Sequence, residues 1–169
     1  MNHIFRRIEN EDAHSIWTLF QKIREEQIDM SFARIRTMEE ILAFVDNPAE
    51  LTYVAVSEEE PNHILSVVKG RREMTEEKQH AAFLSAATHP GVRGQGLAAK
   101  LTEYALEEMR KEGVTIARSY VYSNNKASIR AIGKLSFTHA GTVVRHHKDP
   151  RTGEYHDDLI FHRILDKLP

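Results

Sequence analysis

The stretch HPGVRGQGLAAK, His89 to Lys100, sets two glycines and an arginine between an apolar run, AAFLSAAT, and a long amphipathic segment. Leu97, Leu101, Tyr104, Ala105, Leu106 and Met109 fall on one helical face, and Gly113 stands where a C-terminal cap glycine belongs. The spacing predicts a helix over about 97–112. A strand that turns through glycines into a helix leaves main-chain N–H groups unpaired at the positive end of the helix dipole. Gly94 and Gly96 lack the Cβ atoms that would hold an anion away, and Arg93 adds positive charge beside them, so a diphosphate fits. A tight strand-to-helix turn with no ligand would use the same glycines.

Two phosphate loops are excluded on inspection. A nucleoside triphosphatase loop needs Gly-Lys-Ser/Thr after its spacer, which RGQGLAA lacks. A dinucleotide fingerprint needs GxGxxG and an acid on the next strand; GQGLAA has alanine third, and TIARSYVY carries no acid.

The rest of the chain alternates strand and helix. HIFRRI reads as a strand, and Ala13, Ile16, Trp17, Leu19, Phe20 and Ile23 repeat as a helix. Thr37 with Glu40 forms a capping box before ILAFV, and DNP at 46–48 stops that helix. LTYVAVS and HILSVVKGRR read as a hairpin across EEEPN, and the polar 72–80 segment as a loop before AAFLSAAT. TIARSYVY is a strand and NNKASIRAIGKLSF a short helix; THAGTVVRHH and DLIFHRIL close the chain as strands joined by the loop KDPRTGEYHD. The fold class is therefore α/β, a partly antiparallel sheet with helices on both faces.

A chain of 169 residues with 41% hydrophobic content is read as one compact domain, residues 1–169. The 23 basic residues nearly balance 25 acidic ones, which argues against a nucleic-acid partner. No apolar run is long enough to span a membrane and the N-terminus lacks a signal-peptide core, so a cytoplasmic location is expected. Without cysteine, disulfides, thiolate zinc sites and a cysteine nucleophile are excluded. The spacing of Arg145-His146-His147, His156, Asp157, Asp158 and His162 matches no standard metal motif, and no metal is expected.

RGQGLA resembles the acetyl-CoA pyrophosphate loop of the GNAT superfamily of N-acetyltransferases, Q/R-x-x-G-x-G/A, with Arg93, Gly96 and Ala98 on the defined places. SAATHPGV is similar to that family's fourth strand and the proline after it, and SNNKASIRAIGKLSF to its second cofactor motif. The specific motifs occupy residues 84–137. The resemblance implies a mixed, mostly antiparallel sheet of about 6–7 strands whose fourth and fifth members splay into a cofactor cleft. It implies main-chain contacts to the pyrophosphate from Arg93, Gly94, Gln95, Gly96, Leu97 and Ala98. It further implies pantetheine pairing by Thr88 and His89, and cofactor contacts from Asn125 and Ser128, whose alternative role is helix capping.

The implied reaction moves acetyl from acetyl-CoA to a primary amine by direct transfer in a ternary complex. Only about one lysine-like amine in a thousand is neutral at pH 7, so deprotonation costs roughly 4–5 kcal/mol and a general base is needed. A backbone N–H near Ala87 or Thr88 would polarise the carbonyl. The chain departs from the family pattern in having Ile132 where many relatives carry a tyrosine acid, Ser136 where glycine often precedes phenylalanine, and no carboxylate in AAFLSAAT. Candidates for the missing chemistry are Glu76, Glu77, His80, His89, Tyr120 and Tyr122. The rival reading is a non-catalytic acyl-CoA sensor. Acidic pairs at Glu25–Glu26 and Glu39–Glu40 and the run Glu58–Glu60 favour a cationic acceptor, a small molecule or a peptide. Homodimerisation is also implied by the resemblance.

Overall fold

The computed structural model describes residues 2–27 and 30–166. One sheet runs through them, in the order β1 (His3–Arg7), β2 (Glu50–Ser57), β3 (Ile64–Arg71), β4 (Ala81–Thr88), β5 (Ile116–Tyr122), β7 (Tyr155–Ile164), β6 (Thr138–Lys148). Every pairing is antiparallel except β4 with β5. The helices are α1 (Ala13–Glu25), α2 (Met38–Asp46), α3 (Leu97–Lys111) and α4 (Lys126–Lys134).

The apolar stripes decide which face each helix covers. Leu97, Leu101, Ala105 and Met109 of α3 pack with Leu51, Val68, Ala82, Leu84, Ala117 and Val121, and Ile129 and Ile132 of α4 join this layer. Ile16, Phe20 and Ile23 of α1 and Ile41 and Phe44 of α2 pack with Val54, Val56, Val67 and Ala87 on the opposite face. Helices on both faces bury β2 along its whole length and most of β3, which accounts for their near-continuous apolar sequence. The expected mixed sheet with helices on both faces is observed.

Local signals set most boundaries. Thr37 caps α2 by accepting the Glu40 N–H at 3.3 Å, although the Glu40 carboxylate returns to the Arg36 N–H and leaves the expected capping box half formed. Gly113 has φ +90°, as a left-handed stop after α3 requires. The final loop is shorter than KDPRTGEYHD suggested, because β6 runs through Lys148 and β7 begins at Tyr155. Asp149 tightens that turn by accepting the Arg151 N–H at 2.8 Å.

The β4–β5 junction shapes the functional region. Its parallel ladder pairs Ala81 with Ile116, Ala82 with Ala117 and Phe83 with Arg118, and stops there. Both strands continue, β4 to Thr88 and β5 to Tyr122, each still paired on its outer side to β3 or β7. The sheet therefore opens into a wedge whose closed end lies at residues 81–83.

Candidate functional site

The residues at the open end of β4 are arranged by strand alternation. The His89 N–H donates to the Leu65 carbonyl at 2.8 Å, so the main chain of Thr88 faces away from β3 and into the wedge. This corrects two expectations: the main-chain N–H of His89 is committed to β3, and by the same alternation so is that of Ala87. Thr88 is the residue whose backbone faces the gap. Its hydroxyl is held by Ser66 at 2.9 Å, which fixes the strand end.

After β4, Pro90–Val92 form a 3-10 turn capped by His89, whose Nδ1 accepts the Gly91 N–H at 3.1 Å. An accepting Nδ1 requires the neutral imidazole. Burial, then the neighbouring His63, Lys22 and Arg93, hold the His89 imidazole below the ordinary histidine range, against an opposing pull from Glu26. His89 thus serves as a cap here.

Gly94 and Gly96 have φ +77° and +78°, and no atom lies within 4 Å of a Cβ built on either. Gly96 is the N-cap of α3 and offers no side-chain acceptor, and the first turn of the helix carries no acid. The first N–H groups of this 15-residue helix are therefore left without a side-chain cap from Gly96 or from an acid of the first turn. Arg93 differs from the expectation of a charge aimed at an anion. Its Nε donates to the Thr88 carbonyl at 3.1 Å, and its guanidinium meets both Glu26 oxygens at 3.0 and 2.9 Å. That pair ties the loop to the end of α1 and offsets the charge of Arg93, a partnership across distant sequence that no local pattern announces.

Across the wedge, Asn125 caps α4 by accepting the Ser128 N–H at 3.1 Å. The capping role weighed for this pair is therefore realised, with the Asn125 amide NH₂ group not engaged by that bond.

Ala117 and Val121 lie under α3, so Tyr120 and Tyr122 point to the α1 face. Tyr120 meets Phe83 edge-on at 5.0 Å, and Tyr122 stacks on His147 with centroids 4.0 Å apart and planes 9° apart. Tyr122, Asn124, Asn125, His147, Asp149 and His156 line a cavity of about 400 Å³, completed by Gln27 and Arg151. Gln27, held at φ 55°, follows the glutamate that grips Arg93, so the cavity sits at the mouth of the wedge.

Glu76, Glu77 and His80 are not brought there. His80 precedes β4, and its carbonyl accepts the Thr115 N–H at 2.8 Å at the closed end of the wedge. Thr88 is roughly 26 Å along the strand from it, at about 3.3 Å per residue. Proximity to a strand in sequence does not reveal which end of that strand opens. His147 and His156 were legible only as members of a cluster with non-metal spacing, and Asp149 was not singled out. Among the described residues no three His, Asp or Glu side chains are placed to hold a metal ion.

The family model for GNAT acetyltransferases matches residues 13–137. The chain belongs to the GNAT acetyltransferase family. It is an acyltransferase, and acetyl-CoA is its acyl donor. A GNAT-family acetyltransferase of Streptococcus pneumoniae superposes with TM-score 0.84 at 19% identity, covering 96% of this chain and 99% of that one. YncA of Salmonella typhimurium, solved with its cofactor acetyl-CoA, gives TM-score 0.83 at 18% identity over 98% and 95% of the two chains. A ribosomal-protein-alanine N-acetyltransferase of Brucella melitensis gives 0.81 at 19% over 95% and 99%. No curated protein sequence matches. No helix among the described residues is long and apolar enough to cross a membrane.

The donor fits the residues present. A diphosphate suits the uncapped start of α3, where Gly94 and Gly96 leave the approach open. An extended amide arm suits a strand edge such as that of Thr88, which lacks a neighbour on the wedge side.

Proposed function

We propose that this acyltransferase is an N-acetyltransferase acting on a primary amine by direct transfer in a ternary complex. The observation that carries the reading is the wedge itself: the β4–β5 ladder ends after Phe83 and Arg118, and an uncapped helix start follows directly on β4. The helix start belongs to the α3 layer, while the cavity at Tyr122 opens on the α1 face, so donor and acceptor reach the gap from opposite sides. That arrangement suits a shared complex, and the chain has no cysteine to carry an acetyl group.

Main-chain N–H groups from Gly94 to Ala98 hold the pyrophosphate, the Arg93 N–H expected among them being donated to the Pro90 carbonyl at 3.4 Å; Thr88 aligns the pantetheine arm, and Asn125 and Ser128 bound the cleft from the start of α4. The bound donor supplies an activated thioester carbonyl. The N–H of Thr88 polarises that carbonyl in this reading, and its orientation away from β3 supports it over the Ala87 alternative. The likeness to a ribosomal-protein-alanine N-acetyltransferase supports an amine as the acceptor class. The remaining parts of the reading are one domain over residues 1–169, a cytoplasmic location, a small-molecule or peptide acceptor, and a homodimer.

A calorimetric titration with acetyl-CoA, with ATP and NAD as controls, followed by an amine panel, tests it. Micromolar binding of acetyl-CoA alone with acetyl transfer is expected. Binding with no transfer to any amine would favour the sensor reading, and no binding would remove the loop from the site.

A further inference from the structure

Turning an ammonium acceptor into an amide releases one proton from the site. Of the three N–H protons of the ammonium, one stays on the amide, one ends on the departing thiolate, and one must be taken away before the nitrogen can attack. The groups around the wedge that could take it are few. The wedge-side segments 84–88 and 119–122 contain no carboxylate. The carboxyl of Asp149 is held below its ordinary value, first by the main-chain N–H and then by the side chain of Arg151, and so is a poor proton acceptor. The Nε2 of His156 is 3.3 Å from the Asn124 amide, and its side chain is largely covered.

We infer that His147 is the general base that removes this proton from the acceptor amine. The inference rests on the transferase reading above. Its first support is position: His147 lines the cavity at the mouth of the wedge together with Tyr122 and Asn125. Its second is orientation, because the flat stack on Tyr122, at 4.0 Å, fixes the ring plane at the end of β5.

The third support is a local irregularity that aims the residue. Between the pairs Val143–Asp158 and His147–His156, β6 uses residues 144–146 where β7 uses only Asp157. Such a bulge redirects the side chain that follows it. It is pinned on both sides: the Arg145 N–H donates to Asp157 Oδ1 at 2.8 Å, and His146 Nδ1 lies 2.6 Å from Asp158 Oδ2. Arg145 adopts φ 52°, a left-handed conformation that costs a non-glycine residue energy and clusters at functional sites.

Chemistry agrees with placement. A general base works best when it titrates near the operating pH, and imidazole is the side chain whose ordinary titration lies there. Charged and titratable groups that line the cavity with His147 include Tyr122 of β5, His156 of β7, and Asp149 and Arg151 of the connecting turn, and Glu154 lies 3.9 Å from His156. The imidazole accepts R–NH₃⁺'s proton to give imidazolium and R–NH₂, and passes the proton to solvent through the open cavity.

The test uses the full chain with two acceptor probes, ethanolamine, protonated at pH 7, and methoxyamine, largely neutral there. For His147→Gln, turnover with ethanolamine is expected to fall about 100-fold or more, the lower range for losing a general base, with acetyl-CoA affinity unchanged. Turnover with methoxyamine is expected to fall less than about fivefold, since this amine needs no such base. His147→Ala should regain ethanolamine activity when free imidazole is added. Independently of turnover, the ¹³C-imidazole resonance of His147 should shift when ethanolamine is added without acetyl-CoA, and its titration midpoint should match the acid limb of the wild-type rate profile.

Equal losses with both probes, or full ethanolamine activity in His147→Gln, would overturn the assignment while leaving the transferase reading intact. Wild-type protein that binds acetyl-CoA but acetylates neither these probes nor any member of the amine panel would overturn the transferase reading, and the base with it.

Discussion

Gly96→Ala separates what the glycine does for the fold from what it does for the donor. At φ +78° an L-residue costs about 1–2 kcal/mol, and no neighbour within 4 Å adds a clash. For a domain of this size, each kcal/mol shifts Tm by about 2–4 °C, so a fall of about 2–8 °C is expected. Gly113, at the other end of α3, provides a matched control: its φ is +90° and its Cβ position is equally open. Gly113→Ala should lose similar stability and leave acetyl-CoA affinity alone. Gly96→Ala should additionally weaken acetyl-CoA binding at least tenfold, about 1.4 kcal/mol, because its methyl stands before the unpaired N–H groups of the helix. Thermal melts and calorimetry on the two variants measure both quantities. If Gly96→Ala melts like Gly113→Ala and binds acetyl-CoA as the wild type does, the helix start does not hold the pyrophosphate.

Three other outcomes follow from contacts described above. In an Arg93→Ala, Glu26→Ala double-mutant cycle, urea melts should give a coupling of about 1 kcal/mol for this partly exposed bidentate pair, and additive losses would deny it. His89 has a lowered folded-state pKa, so the unfolded chain binds more protons as pH falls through the ordinary histidine value. That contribution to stability is therefore present above about pH 6.5 and lost below it, and His89→Asn, which keeps an acceptor for the Gly91 N–H, should flatten the acid limb in melts across pH 5–8. Ser136 sits at φ 57° just after α4; Ser136→Gly should raise stability by about 0.5–1 kcal/mol, and a lower Tm would contradict the strain.

What the sequence revealed was local. The stripe from Leu97 to Met109, the stop at Gly113 and the glycines at 94 and 96 depend on near neighbours, and each stands where expected. Ser136, noted as a departure from a common glycine, occupies the left-handed conformation that a glycine there would accommodate. Long-range pairings were hidden. Nothing near Arg93 announces Glu26 as its partner, and nothing in AAFLSAAT says that its ladder with TIARSYVY ends at Phe83. That ending decides which flank of β4 can serve the reaction, and it leaves Glu77 and His80 at the wrong one. His147 escaped for a related reason: period-two reasoning along THAGTVVRHH fails at the bulge, where residues 144–146 oppose one residue of β7.

The short parallel ladder also governs how the molecule divides under load. β1 to β4 form one plate and β5 to β7 another, and the hydrogen-bonded seam between them runs only from His80 and Thr115 to Phe83 and Arg118. Across the rest of the boundary, beside the Phe83–Tyr120 ring contact, continuity passes through the apolar underside of α3, which packs in one cluster with Leu51, Val68 and Leu84 of one plate and Ala117 and Val121 of the other. A single helix thus acts as the splint for two hinged slabs. Amides of β2 and β3 should outlast those flanking the seam in hydrogen exchange, and a chain cleaved after Gly113 should reassemble from its two pieces only while α3 keeps its apolar stripe.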